Sequence, residues 1–420
     1  MSDTESKHED ATPYVEPVEV EKPPDGGWQA WLMVFGVHLT IFNTWGYINA
    51  FGVFQAYYVE AFNETPSTIS WVGSIQIFLL FFLGTFTGRA LDAGYFRPMY
   101  FVGSIMVCLG MFTASCARTY WQIFLSHGLC VGIGGGMLFC PSMALCSTYF
   151  QKKKSFALGI AASGSATGGI VIPVVVKTLL PQVGFAWTMR TVGLITLVTL
   201  GSVNFILKPR LKPRKAGPIV EWAAFKELTY VLFAAGMFLN FWGLYFAFFY
   251  ISAFARTQIG LDQGTAFNMV IIMNAVGMPG RLVPNYYADG RVGPLNLLVP
   301  TCFIVGILVI AWMRVNSYGG LIAWGCVYGF CAAGIQSLFP ATLSSLTTDL
   351  SKAGTRMGMV FTIVSLATLT GSPIGGALVQ MKDGSYWAAQ LFAGLVLLGG
   401  GTLLAVSRVA KVGLDWRVRA

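Results

Sequence analysis

Charge is what this 420-residue sequence has least of. Asp, Glu, Lys and Arg make up 11% of it, against about 25% in an ordinary soluble domain. That is too little to cover a water-facing surface, so a soluble enzyme is excluded. Histidine is scarcer still, with three in all. No Gly-rich Walker loop or soluble ATPase stretch is present, which excludes a primary pump. Gly132-Ile133-Gly134-Gly135-Gly136 has no strand before it and lies inside an apolar run, so it is not a nucleotide-binding turn. No apolar stretch with a small-residue cleavage site precedes Trp28, so no signal peptide is expected and the first span directs insertion. Cys108, Cys116, Cys130, Cys140, Cys146, Cys302, Cys326 and Cys331 fall in apolar runs or at their ends, none at disulfide or zinc spacing in a polar loop. They are read as small packing residues, and no metal or cofactor is expected.

What is present is apolar: 55% of the residues are hydrophobic and 14% aromatic. At about 20 apolar residues per bilayer crossing, the pattern predicts an all-α integral membrane protein with twelve transmembrane helices. Six fall at 30–55, 69–88, 98–117, 121–146, 155–177 and 185–207, and six at 227–253, 264–287, 294–314, 318–342, 355–379 and 385–407. The expected organisation is a disordered acidic tail (1–27), a first six-helix half (28–207), a basic link (208–226), a second six-helix half (227–407) and a short tail (408–420). With both termini cytoplasmic, 21 of the 27 Lys and Arg lie on inner segments, the asymmetry that orients membrane proteins. The net charge of +9 is thus topological, and no nucleic-acid partner is expected. The partner surface is the lipid bilayer, and the expected location is the cell membrane, as a multi-pass protein.

The halves echo each other at an offset of about 200 residues. Leu91-Asp92-Ala93-Gly94 with Arg97-Pro98 answers to Ala288-Asp289-Gly290-Arg291 with Gly293-Pro294. Phe139-Cys140-Pro141 answers to Phe339-Pro340, and Gly168-Gly169 with Pro173 to Gly375-Gly376 with Pro373. Two parallel six-helix halves of like architecture are what the major facilitator fold looks like, with one half rocking against the other around a central site. Asp92, Arg97, Asp289 and Arg291 are candidate gating residues, charges able to bridge the halves at the cytoplasmic surface; plain helix capping with topogenic charge is the alternative.

Two motifs carry a narrower resemblance. Asp25-Gly26-Gly27-Trp28 stands just before the first span, and Tyr149-Phe150-Gln151-Lys152-Lys153-Lys154 leads into a Gly/Ala-rich fifth span. Both, in this order and place, resemble the signatures of the monocarboxylate porter family within the major facilitators, in the style of its fungal members. The resemblance implies a lysine midway along the first span and, in the eighth, an aspartate four residues before an arginine. Here Arg281 keeps the arginine, whereas Asn49 or a direct neighbour stands at the lysine position and Gly277 at the aspartate position. Those departures argue against coupled proton and lactate transport.

Arg281 is the only ionisable side chain within the eighth span. Its guanidinium offers a fork matched to a carboxylate; the alternative is a gating charge paired with Asp289 or another carboxylate. Asn49 and Asn240 are the leading mid-span amides, as pathway groups or as helix-to-helix hydrogen bonds. Aromatics crowd the first and seventh spans, and Tyr47, Trp242 and Tyr245 are candidates for stacking on a large ligand. His38 is a candidate proton relay or a packed core histidine.

The expectation is a secondary active transporter working by alternating access, exporting an organic acid or a bulky secondary metabolite. Import of a monocarboxylate or vitamin-like nutrient is the rival, and a non-transporting sensor the remote one. Protons are a candidate coupling ion, and a functional monomer is expected.

Overall fold

The computed structural model describes residues 23–151, 153–210, 220–346, 353–415 and 418. Nearly all of the acidic tail and the middle of the basic link lie outside the described residues. The described regular structure is helical throughout. The first set of helices comprises α1 (Gly27–Asn43), α2 (Trp45–Asn49), α3 (Phe51–Phe62), α4 (Pro66–Phe82), α5 (Gly84–Asp92), α6 (Phe96–Ala114), α7 (Tyr120–Ile123), α8 (Val131–Ser147), α9 (Lys154–Ala162) and α10 (Gly164–Ile206). The second comprises α11 (Leu228–Thr257), α12 (Gln263–Tyr287), α13 (Pro294–Ala311), α14 (Tyr318–Leu346), α15 (Ala353–Met381) and α16 (Trp387–Val412). The chain runs back and forth, so Gly27, Asp92, Ser147, Tyr287 and Val412 mark one end of the bundle, the terminal end. Phe62, Ala114, Thr257 and Met381 mark the far end.

Ten helices among the described residues are long and apolar enough to cross a membrane. One of them, Ser155–Ile206, is 52 residues long, more than twice the roughly 20 residues a bilayer needs, and it breaks at Gly184, where φ is 75° and ψ 174°. The stretch from Gly27 to Phe62 is not among the ten because Thr44 and Ala50 divide it into helices of 17, 5 and 12 residues.

Between lipid-embedded helices close packing replaces hydrophobic collapse, so small residues sit where backbones cross. Gly164 and Gly168 of α10 lie against the backbones of His38 and Phe42 in α1, and Gly168 also meets Gly46 of α2. Where the chain reverses at the terminal end, Gly94 (φ 89°) and Gly293 (φ 92°) both carry a positive φ ahead of α6 and α13, the structural counterpart of the repeat in the sequence. At the far end Asp262 caps α12 by accepting the N–H of Thr265 at 2.9 Å. Its hydrogen bonds with Thr265 hold the exposed carboxyl below the usual range.

The two motifs quoted above touch. Asp25, itself left-handed at φ 52°, donates its N–H to the carbonyl of Tyr149 at 3.1 Å and accepts the N–H of Gln151 on Oδ1. The rings of Trp31 and Phe150 lie 5.2 Å apart behind this clasp. Gly26 and Gly27 carry the positive φ angles that let the chain leave it and enter α1.

The end of the link is more than a basic strip. A short turn, Trp222–Lys226, leads into α11, and on either side of it Glu221 and Glu227 grip Arg356 at the base of α15. Arg356 Nε stands 3.0 Å from Glu221 Oε2 and Nη2 stands 2.6 Å from Glu227 Oε1, while Tyr230 Oη donates to the Arg356 carbonyl at 2.8 Å.

A candidate substrate cavity between the two helix sets

Both sets contribute to one cavity, whose empty space, its open mouth included, is about 600 Å³. From the first set come Trp45, Phe81 and Phe139; from the second, Phe241, Tyr245, Phe339 and Phe361. Their rings form one continuous aromatic wall: Trp45 stacks on Tyr245 at 6.0 Å and 20°, Phe81 meets Phe361 at 5.2 Å, and Phe339 meets both Phe241 and Phe361 at 5.2 Å. Trp45, Phe241 and Tyr245 are buried, whereas Met143, Leu158, Ala162, Pro340 and Ala341, which line the cavity nearer the terminal end, are half-buried. Pro141 and Pro340 lie inside α8 and α14, close in sequence to Phe139 and Phe339. The repeated Phe-Pro pairs in the sequence were the signal that could have placed these two rings in the site.

One cation faces this wall. Arg281 is 2% exposed; its Nη1 donates to the Gly277 carbonyl at 3.1 Å and its Nη2 to Gln336 Oε1 at 2.7 Å. Among the described residues no carboxylate pairs with it. A Cβ on residue 277 would lie 2.8 Å from Nη1, so the missing side chain there is what lets the guanidinium fold back. Gln336 Nε2 and Tyr245 Oη are buried and have no hydrogen-bond partner. An unpartnered buried polar group costs about 1–3 kcal/mol, and an arginine deep in a bilayer costs about 2.5–3.5 kcal/mol on insertion scales. Three groups able to donate, gathered in an otherwise aromatic cavity, suit a ligand with an anionic or carbonyl edge and a broad apolar body.

Of the six substrate candidates from the sequence, Arg281 and Tyr245 line the cavity and the other four do not. Asn240 is buried and donates to its own helix at Gly236, with its amide against Gly400 of α16. Trp242 donates to Thr370 Oγ1 of α15 at 3.0 Å. Asn49 is 0% exposed with neither amide atom partnered, in the short α2. Tyr47 belongs to a separate cluster around His127, together with Phe51, Phe54 and Tyr58. Residues 47, 51, 54 and 58 share one helical face, and that spacing was the available signal for the cluster. Gln336 appears in the sequence as one amide among several, and nothing there set it apart. Arg97 and Arg291 are exposed at the terminal end, the latter with its guanidinium 5.7 Å from the Tyr287 ring centre. The side chains of Asp92 and Asp289 lie outside the described residues.

Beyond the cavity, towards the far end, the two sets are packed together. Phe51 meets Phe249 at 4.7 Å, Ser67 Oγ donates to Pro373 O at 3.0 Å and Tyr250 Oη to Pro66 O at 3.2 Å. Nearer the surface Arg256 pairs with Glu60 at 2.5 Å and Lys177 donates to Asn268 at 2.7 Å.

Comparison with known proteins agrees with this architecture. The Major Facilitator Superfamily is the family that matches, over residues 33–326. An MFS-type transporter of Gibberella zeae is 44% identical over 94% of this chain and 90% of its own length. The aspyridones efflux protein of Emericella nidulans is 34% identical over 92% of this chain and 79% of its own. The agnestins efflux protein of Paecilomyces divaricatus is 34% identical over 94% and 91%.

Proposed function

The chain belongs to the Major Facilitator Superfamily, as a membrane transporter and not an enzyme, and from that premise we propose that it exports a bulky, acidic secondary metabolite by alternating access. The observation that carries the reading is Arg281, a buried cation with no counter-charge among the described residues, set in the wall of an aromatic cavity. A carboxylate or enolate on a conjugated cargo supplies that counter-charge, and the rings supply stacking. The relatives named for the efflux of aspyridones and agnestins point the same way.

The proposal extends to topology. Dividing Ser155–Ile206 at Gly184 and counting Gly27–Phe62 as one broken crossing gives twelve spans, with both termini on one side. Lys and Arg concentrate on the terminal end, which makes that side cytoplasmic. The halves are 28–207 and 227–407, joined by 208–226. The cavity then faces the cytoplasm while the outer side is closed, the state in which an exporter loads. Asp92, Arg97, Asp289 and Arg291 stand at the end that is open here, so their gating contacts belong to the opposite state. The paired motifs support membership of the monocarboxylate porter family, with Asn49 and Gly277 departing from its charged site. We place the protein in the cell membrane as a functional monomer, with protons as the coupling ion.

The test compares metabolites inside the source cells and in their medium, with and without the gene. A compound retained by the deletion strain, released when the wild-type gene returns but not when Arg281→Gln does, supports export through this cavity. A compound left behind in the medium of the deletion strain overturns it in favour of uptake.

A further inference from the structure

The chain has three histidines, and one of them is sealed in an aromatic cage that has no part in the cavity. His127 is 0% exposed and sits in a π-helical segment, Phe124–Cys130, a distortion that recurs at functional positions. Its ring lies 4.6 Å from that of Tyr47, 5.5 Å from Phe51, 5.3 Å from Phe54 and 5.8 Å from Tyr58. The phenol oxygens of Tyr58 and Tyr47 stand 2.9 and 3.3 Å from Nδ1, and Nε2 has no partner. Those two phenols are the titratable groups that face it. From α4, Val72 and Ile75 pack on neighbouring Gly128, and from α6, Gly110 packs on Ser126. No carboxylate, lysine or arginine acts on the imidazole among the described residues.

A phenyl ring would fill the same space without burying an unpartnered nitrogen. The cage also stands on the closed side of the cavity, and one of its walls, Phe51, packs on Phe249 of the second set. Opening the far end has to part these two rings, which gives water a way to Nε2.

We propose that His127 is the proton-binding site of the transport cycle, neutral while the far end is closed and protonated when it opens. The proposal rests on the transport reading above and names where its coupling ion binds. Its direction follows from linkage. Inside the closed cage an imidazolium has lost its water and meets no counter-charge. Ring faces and phenol oxygens return part of that loss, but removing an ion from water costs more than they return. The proton therefore binds the open state more tightly, and acid on the far side favours opening.

The full chain in lipid nanodiscs, without cargo, is the test. Amide hydrogen exchange is followed in far-end peptides of α3 and α11 at about pH 8 and about pH 5, which brackets imidazole titration. Comparing wild type with His127→Gln at each pH cancels the chemical pH dependence of exchange. The two should match at the higher pH, with wild type exchanging about tenfold faster at the lower, an ordinary size for coupling between sites. Equal exchange at both pH values overturns the proposal. Should His127→Gln fail to fold, ¹⁵N spectra of the histidines in the unmutated chain decide. A His127 ring that titrates together with far-end exchange supports the site, and one that stays neutral throughout overturns it. Neither readout needs cargo. A chain that responds in this way yet exports nothing refutes the export reading alone, and one that exports while His127→Gln behaves as wild type refutes only the proton site.

Discussion

The guanidinium of Arg281 folds back onto its own helix, its Nη1 3.1 Å from the carbonyl of Gly277 and in the space that a Cβ at position 277 would crowd. A carboxylate placed there would take the role assigned to the cargo. Gly277→Asp should therefore leave the protein folded but lower export at least about tenfold, because a charge-assisted hydrogen bond is worth about 1.5–3 kcal/mol. Transport rates in cells, alongside size-exclusion profiles of the purified variant, check this; unchanged export would remove the cargo from Arg281.

Arg281→Gln keeps a hydrogen-bonding group but not the charge. Cargo affinity should fall about tenfold to a hundredfold with expression unaltered, the same energy read as binding. A neutral analogue of the cargo should lose little, and competition assays with the acid and its ester separate the two.

Trp45 and Phe339 reach the cavity from opposite sets. Replacing either with Ala removes stacking worth about 0.5–1.5 kcal/mol beyond area, so affinity for a conjugated cargo should drop about threefold to tenfold. A flexible aliphatic acid of similar size should be affected less.

Gly168 has backbone on two sides, Phe42 and Gly46, and backbone cannot step aside. Gly168→Leu should destabilise by at least about 1–3 kcal/mol, the usual cost of overpacking. A lower melting temperature in detergent, or loss of folded protein, is the readout.

Arg356→Met takes from Glu221 and Glu227 the guanidinium that they share. Removing one member of a buried pair costs about 3–5 kcal/mol, and the half-exposed Glu227 places this case near the lower figure. The double variant Arg356→Met with Glu221→Gln should recover much of the loss.

Fold and family features were legible because a bilayer forces long apolar runs and because Gly, Pro and charge punctuate them. Gly94 and Gly293 were visible as a repeat and proved to share a positive φ of about the same size. The site was legible only in part. Arg281 stands out in any apolar helix, and Tyr245 lies on a crowded aromatic stretch, but Asn49, Asn240 and Trp242 could not be assigned to a face. Which face of a buried helix meets a cavity depends on kinks such as those at Thr44 and Ala50, and an all-round apolar helix carries no amphipathic stripe to reveal it. The grip of Glu221 on Arg356 was hidden for another reason: charges near a span boundary look topogenic until the distant partner is seen.

The lone charge of Arg281 also gives the carrier an electrical character. Without cargo the described lining of the cavity holds one positive charge, that of Arg281, inside the spanning helix Gln263–Tyr287; a monoanion aboard would neutralise it. A full elementary charge crossing 100 mV exchanges about 2.3 kcal/mol with the field, and a rocking site moves through part of that drop. On the proposed topology, with both termini cytoplasmic, an inside-negative potential leaves the loaded step nearly unaffected and draws the empty site back towards the cytoplasm, where the next cargo waits.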